Sequence, residues 1–214
     1  MLLRRLSRAI AAAVLIAFAM VVPVRGDPPP PVLLVVGDSI SAAYGLPPAT
    51  GWVDLLAARL ATEHRPYRVV NASITGDTTA GGRARLPALL ARHKPAIVVL
   101  ELGGNDGLRG GNLDSTRDNL AAMVADVKRS GAKALILGMQ LPPNYGPKYV
   151  REFDALFADV AKAQKVPLVP FIFEGFGERN EMFQSDRVHP TVAAQPMLLD
   201  NVWRVLQPML VPPR

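Results

Sequence analysis

The sequence lacks cysteine altogether and has only three histidines among its 214 residues. The absence of cysteine excludes disulfides, a thiolate nucleophile, a cysteine-ligated metal and a lipid anchor on cysteine, so packing must supply the stability. Half of the residues are hydrophobic and 20% are charged, which is typical of a globular protein and argues against a disordered or polytopic membrane protein. The length suits a single domain with a short extension.

Acidic residues are missing from the first 26 positions, where Arg4, Arg5 and Arg8 precede an apolar run over residues 9–24. This pattern predicts a secretory signal peptide over residues 1–26, and hence a periplasmic or secreted protein. The alternative is an uncleaved membrane anchor, although the run is shorter than the ~20 residues of a typical span. The proline-rich segment 27–31 predicts a stiff tether before a domain over residues 32–214.

The chain is no longer strongly basic once the first 26 residues are removed. They hold four arginines and no acid, so the 24 basic residues of the chain fall to 20 against 18 acidic ones, and the net charge falls from +6 to +2. No stripe of lysine and arginine with interleaved aromatic residues remains. The sequence therefore gives no support to nucleic-acid binding.

Short apolar runs alternate with segments of helical spacing along the rest of the chain. Runs that are apolar on both faces and alternate with helices predict a parallel sheet covered by helices on each side, a three-layer α/β/α fold. The predicted strands are 32–36, 68–71, 96–101, 134–138 and 166–171, and the predicted helices are 52–63, 82–92, 116–130, 150–164 and 196–207. Ser115 or Thr116 can cap the third helix, Gly131 can end it, and Pro147 precedes the fourth.

Ser39 follows the first predicted strand, and in open parallel sheets ligands bind beyond the carboxyl ends of the strands. A helix starting there would direct free backbone N–H groups at an oxygen near the hydroxyl, which is a place to stabilise an oxyanion. The alternative is that Ser39 merely caps that helix. A serine hydroxyl becomes a good nucleophile only when a neighbouring base, usually histidine, takes its proton.

His189 is the histidine that suits this role. His64 follows a polar helix end and His93 precedes the third strand, on the edge of the sheet away from the ligands. His189 has Asp186 three residues before it, and a turn there can bring carboxylate to imidazole, fixing the tautomer and stabilising the imidazolium. An Asp-x-x-His pattern is also common in solvated turns, so the pattern alone leaves that alternative open.

Two further strand ends offer donors for a tetrahedral oxygen. Gly76 follows the second strand and has no side chain to keep a ligand from its N–H, and Asn105 follows the third strand with an amide N–H₂. The alternative is ordinary turn chemistry, since glycine and asparagine are common in loops. The pattern Gly-x-Ser-x-Gly of an α/β-hydrolase elbow is absent, so this serine would belong to another scaffold.

The motifs that follow these strands resemble those of the SGNH, or GDSL-type, hydrolase family, and most closely its bacterial thioesterase I group, whose members are also described as arylesterases and lysophospholipases. The resemblance spans roughly residues 32–210 and rests on the stretches "VVGDSIS", "NASITGDTTAGG", "ELGGNDGLRG", "GRARLPALL", "LPPNYGPKY", "VPLVPF" and "SDRVHP". One departure is Ile40, where the name-giving motif has leucine, a swap of similar volume.

The resemblance implies Ser39 as nucleophile, His189 as base and Asp186 as its orienting partner. It implies an oxyanion hole made by the backbone N–H groups of Ser39 and Gly76 and the side chain of Asn105. It also implies a five-stranded parallel sheet of flavodoxin-like winding, in agreement with the pattern of strands and helices. Asp38 and Asp106 are interpreted as loop-bracing carboxylates that accept backbone N–H bonds.

The implied reaction is hydrolysis of an acyl ester, thioester or lysophospholipid through an acyl-enzyme, with no metal or cofactor. No membrane span is expected after signal cleavage, and no heptad seam argues for an oligomer. Apolar residues near the loops can line an acyl groove or simply close the core under the loops; they are Ile74, Leu108, Leu141, Pro142, Tyr145 and Phe183. The rival functions are a carbohydrate acetylesterase of the same fold and a non-catalytic lipid-binding protein.

Overall fold

The structure, a computed structural model, describes residues 29–210. The predicted signal peptide and the first two residues of the proline-rich segment lie outside the described residues. The described part of the chain forms one five-stranded parallel sheet with strand order β2-β1-β3-β4-β5. This confirms the predicted five-stranded α/β fold and its flavodoxin-like winding. The strands are β1 Val32–Gly37, β2 Arg68–Asn71, β3 Ile97–Glu101, β4 Lys133–Leu137 and β5 Leu168–Val169.

Helices cover both faces of the sheet within residues 29–210. Leu33 and Val35 of β1 pack towards α1 and α6, whereas Leu34 and Val36 pack towards α2, α4 and α5. Both sets of side chains are fully buried, as expected for a parallel sheet between two helical layers. The helices are α1 Trp52–Thr62, α2 Thr79–His93, α3 Gly104–Leu108, α4 Leu113–Arg129, α5 Pro147–Gln164 and α6 Gln195–Leu206.

Strand β5 is shorter than the sequence predicts. The predicted run covered residues 166–171, but only Leu168 and Val169 pair with β4. Pro167 and Pro170 bracket these two residues, and proline has no N–H to donate to a sheet. The apolar character of the run therefore extends beyond its hydrogen-bonded part.

Helix α2 begins three residues before the predicted start. The Thr78 hydroxyl accepts the N–H of Gly81 (3.3 Å) and caps the helix. The helix includes Gly81 as well as Gly82, its predicted first residue, and a Cβ on Gly82 would lie 2.2 Å from Leu102 Cδ1. These glycines sit within a helix because its first turn packs closely against its surroundings.

The starts of α4 and α5 also differ from the prediction. The side chain of Asn112 caps α4 by accepting the N–H of Ser115 (2.9 Å), so neither Ser115 nor Thr116 is the cap. Pro147 is the first residue of α5 rather than the residue before the helix. A proline is well tolerated there because the N–H that it lacks has no partner in a first helical turn.

The winding of the sheet places two strand ends side by side at its centre. The chain leaves β1 to form β2 on one side and later returns to form β3 on the other. Such a change of direction opens a crevice beyond the carboxyl ends of the two central strands. Asp38 and Ser39 follow β1, and Asn105 follows β3, so all three lie at this crevice.

Candidate active site

Ser39 lies in a tight turn directly after β1, not at the start of a regular helix as the sequence suggested. The N–H of Ala42 donates to the Asp38 carbonyl (2.9 Å) and that of Tyr44 to the Ser39 carbonyl (3.1 Å). Ala43 adopts a left-handed conformation, with φ of 57°, which ends the turn. The first helix after β1 begins only at Trp52, so a single turn takes the place of the expected helix N-terminus.

His189 is held by a hairpin-like loop over residues 183–190, called here the histidine loop. Phe183 and Pro190 form an isolated antiparallel bridge, and the N–H of Gln184 donates to the His189 carbonyl (2.8 Å). Asp186 Oδ1 accepts the N–H groups of Val188 (2.9 Å) and His189 (3.0 Å). One carboxylate oxygen therefore shapes the loop and leaves the other for the imidazole.

The structure brings Ser39, His189 and Asp186 together although 150 residues separate the serine from the histidine. His189 Nε2 lies 2.8 Å from Ser39 Oγ, and His189 Nδ1 lies 2.7 Å from Asp186 Oδ2. A carboxylate at Nδ1 favours the tautomer with its proton on that nitrogen, which leaves Nε2 to accept the serine proton. The three groups form a continuous hydrogen-bonded chain in which the serine proton can pass to the imidazole.

The environment keeps Asp186 ionised. Its partial desolvation acts to raise the pKa, but hydrogen bonds from the backbone and ring of His189 and from the Val188 N–H outweigh it and lower the pKa of Asp186 to about 2. The side chain is also 41% exposed to solvent. A carboxylate that remains charged can stabilise an imidazolium beside it.

The predicted oxyanion donors lie on three adjacent strand ends, since β2, β1 and β3 are neighbours. Gly76 has a φ of +78°, a conformation that suits glycine, and its carbonyl accepts a hydrogen bond from Arg109 Nη2 (3.0 Å). Asn105 lies in α3, and its Nδ2 donates to Asp38 Oδ2 (2.9 Å). The Asn105 amide is therefore fixed by one of its two N–H groups.

The carboxylates of Asp38 and Asp106 brace loops, as predicted. Asp38 Oδ1 accepts the N–H of Ile40 (3.0 Å), and Asp106 Oδ2 accepts the N–H of Thr79 (2.9 Å). Burial is the largest influence on Asp38 and raises its pKa to about 6, against the opposing effect of hydrogen bonds from Ile40 and Asn105. Asp38 is thus a buried carboxyl group directly beside the predicted nucleophile.

Two charged residues that the sequence analysis did not single out also support this region. Glu101, the last residue of β3, is fully buried and accepts the Ser41 hydroxyl at 2.7 Å. Arg85 of α2 donates to Asp77 Oδ2 (2.8 Å), to the Gly37 carbonyl (3.3 Å) and to the Ala72 carbonyl. An acid ending an apolar strand was the available sequence signal for Glu101, whereas nothing in the helical pattern distinguishes Arg85 from a surface arginine.

A cavity of about 700 Å³ opens beside the triad. Its lining includes Gly104 and Val188, the chain neighbours of Asn105 and His189. Of the six predicted substrate-contacting residues, four line it; these are Leu108, Leu141, Pro142 and Phe183. Ile74, which is 53% exposed, is not part of the lining, and neither is Tyr145, whose hydroxyl donates to the Leu108 carbonyl (3.0 Å).

Residues 29–210 contain no group of three or more acidic, histidine or cysteine side chains arranged to hold a metal ion. Within the same residues, no helix has both the length and the apolar character needed to cross a bilayer.

Comparison with known sequences identifies similar proteins. Residues 35–195 match the family described as GDSL-like lipase/acylhydrolase. The chain is 60% identical over 178 residues to "Esterase TesA" of Pseudomonas aeruginosa, covering 83% of this chain and 89% of that protein. It is 42% identical over 178 residues to "Thioesterase 1/protease 1/lysophospholipase L1" of Escherichia coli K12, covering 83% of this chain and 84% of that protein.

Solved structures of similar proteins share the fold. A crystal structure of TesA superposes with a TM-score of 0.82 at 59% identity, covering 84% of this chain and 99% of that one. The esterase EstA from Pseudoalteromonas sp., inhibited by monoethylphosphonate, superposes with a TM-score of 0.79 at 35% identity, covering 83% of this chain and 97% of that one. The similarity therefore covers more than four fifths of this chain.

Proposed function

Because the chain belongs to the GDSL-like lipase/acylhydrolase family and is a carboxylic ester hydrolase of the esterase and thioesterase type, we propose that it acts through Ser39, His189 and Asp186. The observation that carries this proposal is the continuous contact from Ser39 Oγ to His189 Nε2 (2.8 Å) and from His189 Nδ1 to Asp186 Oδ2 (2.7 Å). Nucleophile, base and orienting carboxylate are thus within hydrogen-bond reach of one another, as acyl transfer requires.

The first half of the reaction forms an acyl-enzyme. Ser39 Oγ attacks the carbonyl carbon of the substrate while His189 Nε2 takes the hydroxyl proton. The resulting imidazolium is stabilised by the ionised Asp186 and then gives its proton to the departing alcohol or thiol. The bond between the carbonyl carbon and the leaving group breaks, and the acyl group remains on Ser39.

The second half returns the enzyme to its starting state. A water molecule attacks the acyl carbon, His189 accepts a proton from it, and the imidazolium returns that proton to Ser39 Oγ as the acid leaves. Both halves pass through a tetrahedral oxyanion. The proposed donors to this oxyanion are the N–H groups of Ser39 and Gly76 and the Asn105 amide, and losing one such donor typically costs about 2.7 to 4 kcal/mol of barrier stabilisation.

The cavity beside the triad supports a substrate with an acyl chain. It has the volume of a typical small-molecule site, and aromatic and aliphatic residues make up much of its wall. Phe173 and Phe183 lie edge to face at 5.5 Å within that wall. An ester or thioester whose carbonyl reaches Ser39 can place its apolar chain in this space, which favours acyl esters, thioesters and lysophospholipids as the substrate class.

The proposed location is the periplasm or the medium outside the cell. The arginines and apolar run of residues 1–26 support export followed by signal cleavage. An exported enzyme does not meet cytosolic acyl-coenzyme A, so a coenzyme A thioester is a poor candidate for the natural substrate. Mass spectrometry of the mature N-terminus in a periplasmic fraction tests this proposal, and a chain that retains Met1 in the cytoplasm contradicts it.

The decisive experiment compares the wild-type protein with Ser39→Ala on p-nitrophenyl esters from acetyl to decanoyl and on matched thioesters. We expect Ser39→Ala to lower kcat by at least about 10³-fold, because a serine nucleophile and its base act as one unit. Circular dichroism should show an unchanged fold, and Ser115→Ala, a change at an exposed serine of α4, should leave kcat unchanged.

Three outcomes of that series contradict the proposal. Equal activity in Ser39→Ala removes the serine from the mechanism. A strict preference for acetyl over hexanoyl esters supports the carbohydrate acetylesterase instead. Tight fatty-acid binding by the wild-type protein without a burst of p-nitrophenol supports the lipid-binding protein.

A further inference from the structure

Glu101 is a fully buried acid that the proposed reaction does not use. It ends β3 directly opposite Gly37, the last residue of β1. Its Oε2 accepts the Ser41 hydroxyl at 2.7 Å and the backbone N–H of Asp38 at 3.3 Å, so it lies beneath the turn that carries Ser39. Its Oε1 is buried and has no hydrogen-bond partner within residues 29–210.

The local backbone leaves space for this carboxyl group. A Cβ on Gly37 would lie 2.7 Å from Glu101 Oε2 and 2.8 Å from the Ser41 side chain, so no larger residue fits there without displacing them. Glycine at position 37 therefore leaves room for the side chain of Glu101 on the neighbouring strand β3. The carboxyl group is an integral part of the site rather than a side chain that fills leftover space.

Within residues 29–210, no cation pairs with this carboxyl group. The described ion pairs include none to Glu101 or Asp38. Arg85 faces the pair from α2, but its charge is matched by Asp77, and it reaches the pair only through the Gly37 carbonyl. From the histidine loop, His189 acts electrostatically on Asp38.

Two adjacent buried carboxyl groups without a cation cannot both be ionised at low cost. Burial and the neighbouring charge of Asp38 hold the pKa of Glu101 well above its usual range, whereas burial raises that of Asp38 only to about 6. Glu101 is therefore the member of the pair that keeps its proton to the higher pH, and Asp38 is the member that ionises first. Between the two pKa values the pair carries one negative charge instead of two.

The pair is linked to the proposed oxyanion hole by direct contacts. Glu101 holds the backbone of Asp38, the residue before Ser39, and Asp38 Oδ2 accepts Asn105 Nδ2 at 2.9 Å. Resting on the proposed function, we propose that neutral Glu101 is a positioning residue that fixes Asp38, and through it Ser39 and Asn105, while keeping a second negative charge away from the oxyanion.

This role predicts a specific alkaline effect. When Glu101 loses its proton, a second anion appears behind the oxyanion site, and the negatively charged tetrahedral intermediate is destabilised more than the neutral substrate. The wild-type kcat should therefore fall at high pH while KM changes little. Glutamine has the shape of a neutral glutamic acid and cannot ionise, so Glu101→Gln should lose this fall.

The test measures kcat and KM of the full chain on p-nitrophenyl hexanoate from pH 5 to pH 10, with spontaneous hydrolysis subtracted. We expect Glu101→Gln to keep kcat within about threefold of wild type at pH 7 and to lack the alkaline fall. Glu101→Leu, which cannot accept the Ser41 or Asp38 bonds, should lower kcat by about 10-fold or more with little change in KM. Glu152→Gln, a change at an exposed acid of α5, is the matched control and should match the wild-type profile.

The proposal is overturned if wild type and Glu101→Gln have superimposable kcat profiles across this range, or if a folded Glu101→Leu has the wild-type kcat. Thermal melts establish folding, and if the leucine variant does not fold, the comparison between glutamate and glutamine alone decides. A Ser39→Ala sample in the same series separates the two proposals. Activity in that sample refutes Ser39 as the nucleophile. The role of Glu101 is tested separately, by comparing the kcat profiles of wild type and Glu101→Gln, and this comparison does not depend on which residue is the nucleophile.

Discussion

Carboxyl groups approach the turn of Ser39 from two sides, and the two sides differ in solvent exposure, in neighbouring groups and in the direction of the pKa shift. Asp186 lies on the solvent side, in a loop, with an imidazole 2.7 Å away and two backbone N–H groups on its other oxygen. Asp38 and Glu101 lie on the core side, with each other and hydroxyl, amide or backbone donors as neighbours. The pKa of Asp186 is lowered to about 2, whereas burial raises those of Asp38 and Glu101.

The difference shows how the same chemical group, a carboxyl, can serve two functions on the two sides of one turn. Solvent and a partner that gains positive charge favour the ionised form, which suits a carboxylate that stabilises an imidazolium. Burial without a cation favours the neutral form, which suits a group that holds the backbone in place without adding charge. Substitutions on one side of the turn at a time test this difference.

We expect the largest effect on kcat from a change at His189, the partner of Asp186 on the solvent side. His189→Ala removes the proposed base, and we expect kcat to fall by about 10³-fold or more because Ser39 then has no group to take its proton. His93→Ala, at the last residue of α2 and on the opposite edge of the sheet, is the matched control and should leave kcat within about twofold. Steady-state kinetics of both variants checks this, and similar losses in the two would point to a different base.

A smaller loss is expected from Asp186→Asn. The amide keeps the size of the side chain but loses the charge, and it can favour the unproductive imidazole tautomer, so kcat should fall by about 10²- to 10⁴-fold. Asp114→Asn provides the control, because Asp114 is also an exposed acid bonded to a neighbouring side chain, that of Arg117, but lies on α4. An unchanged kcat in Asp186→Asn would show that the charge of Asp186 does not contribute to turnover.

The smallest effect is on stability and concerns the core side. The folded-state pKa of Glu101 lies above the unfolded value near 4.5, so the folded state binds the extra proton. The resulting stabilisation is complete below about pH 4.5 and is lost as pH rises through the folded-state pKa. Asp38 adds a similar loss between about pH 4 and 6.

Glu101→Gln removes the Glu101 part of this dependence. We expect its free energy of unfolding, relative to wild type, to increase by more than about 1 kcal/mol between pH 4 and pH 8, since one pKa unit corresponds to about 1.4 kcal/mol. Urea unfolding at several pH values measures it, with Glu152→Gln as the control. A difference that stays constant with pH would show that Glu101 is already ionised in the folded protein.

The sequence predicted the sheet and its helical layers because strand periodicity and the geometry of parallel sheets are local or general rules. The grouping of Ser39, Asp186 and His189 depended in addition on the resemblance of their motifs to those of the SGNH family, since the residue pattern alone left alternatives open. Helix starts were less accurate: α2 begins at Thr79 instead of Gly82, since the capping bond from the Gly81 N–H to the Thr78 hydroxyl is seen only in the structure. The same applies to β5, where apolar character alone does not reveal which N–H groups form ladder bonds.

Glu101 and Arg85 could not be assigned from the sequence for a physical reason. Their roles depend on contacts with residues 60 and 48 positions away, respectively, across the sheet. No spacing rule along one strand or one helix encodes such contacts. Asn105, by contrast, was accessible because it follows a strand directly and its amide is a recognisable donor.

The bond between the serine and the imidazole joins positions 39 and 189, near the two ends of the folded domain. A growing chain that has exposed only β1 to β4 holds the proposed nucleophile without its proposed base, so we expect it to be hydrolytically silent. Activity therefore arises only after the C-terminal portion of the domain has emerged and closed over the sheet. The fold thus makes hydrolytic activity a property of the completed domain and of no N-terminal fragment of it.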